Sequence, residues 1–326
     1  MWSRLKRAVK RVFSGGSDSI PAPVIVKPSP EIVIDKPIVE VVESPVPETG
    51  AMTRSIQLDR WTKACLDIVQ GWEGETPYAN ITGDFDGMGL TCGSLGWTWH
   101  YGDQQRLVKE FAGKVGTAVI FECMPTFGKQ YWNLVNGSIE GTIGSIRKIS
   151  RGANVSNPYK KELEALWTHP EFIKVQVSEA KRTMAKFAMD NILSFGNKVT
   201  FQKFLWLFDT RVLNGSLKGI DLSLYKNAEA EIAVEAINNM AVLHGYNTAD
   251  AKKNKQLWAK LNVFQGDEPQ LLMLAMKRAK LSRKEFIHTT LNRRGTISTG
   301  AGYVNGKLWY PFEQCGIAHD SVLADS

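Results

Sequence analysis

A chain of 326 residues has room for one large domain or two ordinary ones, and 43% hydrophobic residues with ten tryptophans suit a globular protein with a sizeable core. No run of 18 apolar residues occurs, so no membrane span is expected. The net charge is +7, but +5 of it sits on Arg4, Lys6, Arg7, Lys10 and Arg11 within the first fourteen residues, leaving +2 on the other 312. The bulk of the chain therefore does not read as a nucleic-acid binder.

Cys65, Cys92, Cys123 and Cys315 are scattered and show no metal-ligand spacing, and the five histidines are equally dispersed. We read four free, mostly buried thiols, with one disulfide pair as the alternative, and expect no metal site and no cofactor.

In chain order, residues 1–17 form a basic amphipathic segment. Trp2, Leu5, Ala8, Val9, Val12 and Phe13 fall at helical spacing, cations fill the other face, and Gly15-Gly16 ends it. No apolar h-region is present, so it is not a signal peptide. A helix of this kind lies on an anionic membrane or lipopolysaccharide or docks on a partner; the alternative is a solvated tail. Residues 18–52 read as a Pro/Val-rich linker, with seven of the thirteen prolines between Pro21 and Pro47. Proline at that density opposes helix and favours an extended path. Residues 53–326 read as one predominantly helical domain with a small β element near its start.

From Thr53 the pattern is helical: Leu58, Trp61, Cys65, Ile68, Val69 and Trp72 step by three and four, and Gly71 and Gly74 are expected to break the helix. Glu73 then sits at a helix C-terminus beside Trp72, where the dipole and the aromatic ring both disfavour an ionised carboxylate. The alternative is an exposed turn acid. Residues 72–99 hold four carboxylates (Glu73, Glu75, Asp84, Asp86), six glycines and three tryptophans in 28 residues. Acids among glycines and aromatics suit glycosidic-bond cleavage, which needs one protonated acid, one ionised acid and flat surfaces for the sugar faces. Residues 76–99 predict a short β-hairpin with a Gly-rich turn. Asp84 and Asp86 flank Phe85, so in an extended strand only one of them shares a cleft with Glu73. Taken alone, Asp86-Gly87 reads as a turn.

Residues 104–124 are helical, and 125–158 read as loops with a short helix near 143–149. Residues 159–193 are helical with an interruption at Pro170. Residues 200–213 are a nearly continuous apolar run around Asp209, read as a buried aspartate satisfied by backbone or by Arg211, or else as a functional acid. Helices follow over 226–243 and 251–281 with a turn at 244–247, then a basic helical stretch over 282–294 and a Gly-rich loop over 296–306.

Asp86-Gly87-Met88-Gly89-Leu90-Thr91-Cys92-Gly93 resembles the Asp-Gly-x-Gly-aromatic-Thr-x-Gly signature of the chitosanases of glycoside hydrolase family 46, which belong to the lysozyme superfamily; Leu90 stands where the family has an aromatic. Residues 72–99 also resemble the chitosanase-related, lysozyme-like proteins of phages and prophages. Phe208-Asp209 with Leu213-Asn214-Gly215, and Arg293-Arg294 with Ile297, Gly300, Gly302, Val304 and Gly306, are similar to two later segments of that group. The resemblance spans roughly residues 56–317. It implies an α+β lysozyme-like fold, Glu73 as general acid (with Glu75 as a rival), Asp86 activating a water, and Thr91 helping to hold that water. Tyr78, Asp84, Trp97, Trp99 and Asp209 join Glu75 as candidate substrate-binding residues; the aromatics Trp97, Trp99 and Tyr101 line sugar subsites or, equally, belong to the core.

The expected substrate is peptidoglycan or another aminosugar polymer, because a near-neutral domain behind a basic tail suits an anionic envelope better than cationic chitosan. The expected setting is a phage-encoded endolysin or virion lysin, made in the host cytoplasm or carried in the virion and acting on the periplasmic cell wall, with membrane or virion contact through residues 1–14. A chitosan hydrolase and a non-catalytic virion component are the alternatives. Cleavage would proceed by inversion or, without an ionised partner, by a lytic-transglycosylase route.

Overall fold

The computed structural model describes residues 54–74, 76–84, 86–196, 198–223, 248–260 and 268–324. The basic segment, the linker, Glu75, the helix expected over 226–243 and the turn at 244–247 lie outside the described residues. Contacts gather residues 51–326 into one compact unit. It is predominantly helical, with three small antiparallel sheets among the described residues.

Helix α1 (Arg54–Glu73) buries Trp61, Cys65, Ile68, Val69 and Trp72, the stripe that its three-four spacing predicts. The helix runs through Gly71 instead of breaking there. A Cβ at Gly71 would lie 2.6 Å from the Trp309 ring, so this glycine admits a tryptophan against the helix backbone. Three two-residue strands follow, β1 (Ile81–Thr82), β2 (Thr91–Cys92) and β3 (Trp97–Thr98). They form an antiparallel sheet in the order β1-β2-β3, with Ile81 opposite Cys92 and Cys92 opposite Trp97. One hairpin was expected; the second arises because Gly93 and Gly96, both at positive φ, turn the chain again.

The helical stretch expected over 104–124 divides at Gly116 (φ 86°) into α2 (Asp103–Val115) and α3 (Thr117–Cys123). The loops expected over 125–158 are largely ordered elements: α4 (Gly128–Asn136), α5 (Ile139–Ile149) and the hairpin β4 (Ser150–Arg151)–β5 (Asn154–Val155). The short helix expected near 143–149 is the second half of α5; sparse apolar residues concealed its first half and α4. Each needs only a few anchors, such as Tyr131 and Val135 in α4 and Ile146 in α5, and Ser138 caps α5 by accepting from Gly141 N. Helices α6 (Asn157–Trp167), α7 (Pro170–Ala180) and α8 (Lys186–Ile192) follow, with a π-turn at Lys181–Ala185 joining the last two. Pro170 occupies the first turn of α7, where its missing N–H costs nothing.

Helix α9 (Phe201–Asn214) is buried continuously from Phe201 to Thr210 and packs against α1, α8 and α12 (Ile287–Thr299), which is itself buried from Thr290 to Thr299. Trp61 of α1 meets Phe201 and Phe204 at ring-centroid distances of 5.4 and 5.6 Å. The segment expected as one helix over 251–281 is described as two, α10 (Ala249–Lys260) and α11 (Glu268–Lys280). Residues 296–299 belong to α12. After Gly300 (φ 75°) the chain forms the hairpin β6 (Gly302–Val304)–β7 (Lys307–Trp309) and then α13 (Pro311–Cys315), so the Gly-rich stretch is a helix end and a hairpin, not a loop.

Gly93 gives a direct test of the small sheet. Its φ is 87°, and a Cβ there would lie 2.6 Å from Trp167 and 2.7 Å from Trp97. Gly93→Ala is expected to cost about 1–3 kcal/mol through overpacking, with roughly 1–2 kcal/mol more for the left-handed backbone. Thermal unfolding reads this directly; an unchanged melting temperature would mean that the two indoles are free to part.

Candidate active site

Glu73 is the last residue of α1, and three side chains hold this helix end, those of Asn80, Asn305 and Arg293. The Asn80 side-chain amide donates to Glu73 O at 3.0 Å, and that of Asn305 donates to Trp72 O at 2.6 Å. These bonds satisfy helix C-terminal carbonyls that no intrahelical donor reaches. Asn80 also fastens the helix end to the sheet, because its own carbonyl accepts from Gly93 N at 3.0 Å. A Cβ at Gly74 would lie 2.7 Å from the Asn80 side chain, so glycine is what lets the two segments approach.

The carboxylate itself meets Arg293 of α12, whose Nη1 donates to Oε1 at 2.5 Å. The Glu73 side chain remains 27% exposed, and its Oε2 has no hydrogen-bond partner among the described residues. A partly exposed carboxyl with one oxygen anchored and the other free can deliver or receive a proton on the free side. The sequence reading had placed Glu73 beside an aromatic without a cation. Trp72 is indeed adjacent, but it is buried and its ring faces the Arg293 guanidinium at 5.2 Å, so it backs the arginine.

Arg293 also donates through Nε to Asp209 Oδ1 at 3.0 Å, and its Nη2 pairs with the same oxygen. Arg294 approaches Asp209 Oδ2 at 3.6 Å and donates to Asp209 O at 3.2 Å and to Thr210 Oγ1 at 3.0 Å. Burial alone would lower the pKa of Arg293, but the Asp209 and Glu73 carboxylates outweigh it and hold the guanidinium above its ordinary range. Arg294 is pushed down to about 10 by burial, with Asp209 opposing and Arg293 and Arg278 adding to the fall. Two arginines thus share one fully buried carboxylate, and one of them passes its remaining donor to Glu73.

Asp209 is buried, as the apolar run around it predicts, and with 0% exposure it offers no contact to a substrate; its charged partners are Arg293 and Arg294, not Arg211. Residues two apart on a helix face different directions. Arg211 accordingly lies over the Phe187 ring and donates to Gly215 O.

The two aspartates of the 84–89 turn divide their roles. Asp84 braces the turn: Oδ1 accepts from Gly89 N at 2.8 Å and Oδ2 from Arg147 Nε at 3.0 Å, while Arg147 Nη2 donates to Gly87 O at 3.1 Å. Asp84 is therefore engaged within the protein. Asp86 is the exposed acid, its Oδ1 accepting from Met88 N at 3.1 Å in a local turn of its own. Thr91 lies in β2, and its buried Oγ1 has no hydrogen-bond partner among the described residues.

The aromatics are redistributed. Trp97 and Trp99 are 5% and 0% exposed. Trp97 stacks on Trp167, and Trp99 packs on Tyr131 with its indole N–H donated to Thr142 Oγ1 at 3.1 Å. Neither presents a face to a sugar, so both are core residues, Trp97 in β3 and Trp99 in the turn after it, where its backbone N–H donates to Leu90 O at 2.9 Å. Tyr78, at φ 62°, folds back on α1, with its backbone N–H to Gln70 Oε1 and its hydroxyl 3.4 Å from Asp67. Tyr101 is the exposed ring, at 68%, set edge-on to His100, whose N–H donates to Met88 O at 3.1 Å and so ties it to the Asp86 turn.

Arg293, Arg294, Asn80 and Asn305 were given no role from the sequence. The stretch around them, IHTTLNRRGTIST, is largely polar and reads as a basic surface helix, so it gave no sign that both arginines are buried against an acid. Asn305 occupies the left-handed region (φ 52°) in the β6–β7 turn, so Asn305→Gly removes the amide while keeping the backbone conformation. We expect a stability loss of about 1 kcal/mol and a lowered turnover; turnover equal to that of the parent would show that the cap does not position Glu73.

The four cysteines are free, Cys65 and Cys92 buried. Among the described residues no cluster of three or more His, Cys, Asp or Glu could hold a metal ion, and no helix is long and apolar enough to cross a membrane.

No protein-family model and no curated protein matches the chain. Among solved structures, a native chitosanase from Bacillus subtilis MY002 is similar with a TM-score of 0.34 and 16% identity, over 76% of this chain and 95% of that chain. A likeness that distant leaves the chemistry to be argued from the site.

Proposed function

We propose that the protein is a glycoside hydrolase acting on an aminosugar polymer, with Glu73 as general acid and Asp86 as the base that activates water. The observation that carries this reading is the asymmetric hold on Glu73, with Oε1 fixed by Arg293 and a solvent-reachable Oε2 left for the glycosidic oxygen. In the proposed step the Oε2 proton passes to that oxygen and the C1–O bond breaks. Asp86 takes a proton from water attacking C1 on the opposite face, which inverts the anomeric centre. Inversion calls for carboxyl groups roughly 6.5–9.5 Å apart. Arg293 keeps the acid oriented, and Tyr101 is the ring available to a sugar face.

Peptidoglycan is the polymer we favour. The near-neutral charge of residues 15–326 and the basic first fourteen suit an anionic wall. A phage lysin, released at lysis or carried in the virion, is the setting that the resemblance of residues 72–99 suggests; the resemblance of residues 86–93 makes chitosan the competing substrate.

The test is digestion of purified peptidoglycan and of chitosan oligomers by the full chain, with mass spectrometry of the fragments. Reducing-end muramic acid is the expected product. Anhydro-muramic ends would replace Asp86 by a transglycosylase route, cleavage of chitosan alone would move the substrate, and no cleavage of either would leave the non-catalytic reading.

A further inference from the structure

A second surface lies away from Glu73, where α11 ends and α12 begins. Leu281 and Phe286 are large apolar side chains with 46% and 43% of their surface exposed. Lys280, Arg283 and Lys284 are exposed around them, with Glu285 as the single acid of the turn. Leu281 lies over Gly219, where a Cβ would approach its Cδ1 to 3.1 Å, and this brings exposed Lys218 to the same patch. Among the described residues none of Lys218, Lys280, Arg283 and Lys284 has an ion-pair partner.

The turn is built to present these groups. Leu281 N donates to Arg278 O at 3.2 Å, Ser282 N to Ala279 O at 3.0 Å and Phe286 N to Arg283 O at 2.8 Å, while Ser282 Oγ and Thr290 Oγ1 stand 3.0 Å apart and link the turn to α12. The two apolar side chains are therefore held on an ordered backbone, which reduces the entropy lost when they are buried against a partner.

We propose that residues 280–286 with Lys218 form a docking surface for an anionic lipid bilayer, Leu281 and Phe286 entering the headgroup boundary while the four cations meet lipid phosphates. Charge complementarity selects an anionic partner, and the exposed apolar pair selects a bilayer over a polyanion that offers charge alone. The residues assigned to the reaction take no part in this surface, so the inference stands apart from the substrate reading.

The test is co-sedimentation of the full chain with vesicles of phosphatidylglycerol and phosphatidylcholine in equal parts, and with phosphatidylcholine alone. Arg283→Glu/Lys284→Glu should weaken partition to the anionic vesicles by at least about tenfold, and Leu281→Ser/Phe286→Ser by a comparable factor. The charge variant should keep the parent melting temperature; the apolar variant also removes half-buried surface, so its melting temperature should fall, and both are assayed well below it. Residues 1–14 are present in every variant and set a common background. Partition of both variants equal to that of the parent would overturn the proposal, as would loss in the charge variant alone, which would indicate a plain polyanion site. Absence of parent binding to anionic vesicles would overturn it too.

Discussion

Asp209→Ala is expected to unfold at lower urea than the parent chain, by a margin equivalent to about 3–5 kcal/mol. The magnitude follows from what the substitution leaves behind. Asp209 is fully buried, and the side chains of Arg293 and Arg294 are 3% and 0% exposed. Removing the carboxylate strands two guanidinium groups in the core with only backbone and hydroxyl acceptors, and Arg293 with its bond to Glu73. Asp209→Asn should cost less, because the amide oxygen still accepts from Arg293 while the charge is lost. Urea unfolding followed by far-ultraviolet circular dichroism measures both. A loss below about 1 kcal/mol for the alanine variant would mean that the arginines are solvated on losing their partner, and the network would then not order the Glu73 carboxylate.

Glu73→Gln is expected to slow glycan cleavage by roughly 10²–10⁴-fold, the contribution of a positioned general acid. The fold should survive, because an amide oxygen can accept the Arg293 Nη1 bond that Oε1 now accepts. What is lost is the proton on the second oxygen. Initial rates on labelled peptidoglycan fragments, beside unfolding curves for the same preparations, separate lost chemistry from lost structure. Glu75→Gln serves as the companion. Near-parental rates with Glu75→Gln and collapse with Glu73→Gln assign the acid to Glu73; the reverse pattern assigns it to Glu75. More than about a tenth of the parent rate in both would remove these carboxylates from the mechanism.

Much of the helical scaffold was legible in the sequence because its cause is local. The stripe of α1 from Trp61 to Trp72, the apolar run of α9 and the proline start of α7 each encode one face or one terminus within a few residues. The position of Glu73 at a helix end followed from the same stripe. Weakly patterned α4 escaped and only the second half of α5 was legible, since a few buried anchors and a serine cap suffice once a neighbour covers them. The expected split between Asp84 and Asp86 rested on an extended strand, whereas both lie in the turn between β1 and β2, and a distant contact separates them. Arg147, 63 residues away, takes Asp84.

The sequence alone determined where helices run and which carboxylates are available near the end of α1. Tertiary structure decided which groups meet. Arg293 is 84 residues from Asp209 and 220 from Glu73, and no periodicity links positions at those separations. It also decided that Trp97 and Trp99 are core while Tyr101 is surface: alternation would give all three one face, but β3 ends at Thr98 and the chain turns over residues 99–102. A buried charge states only that a partner is required; the packing of α12 against α9 chooses it.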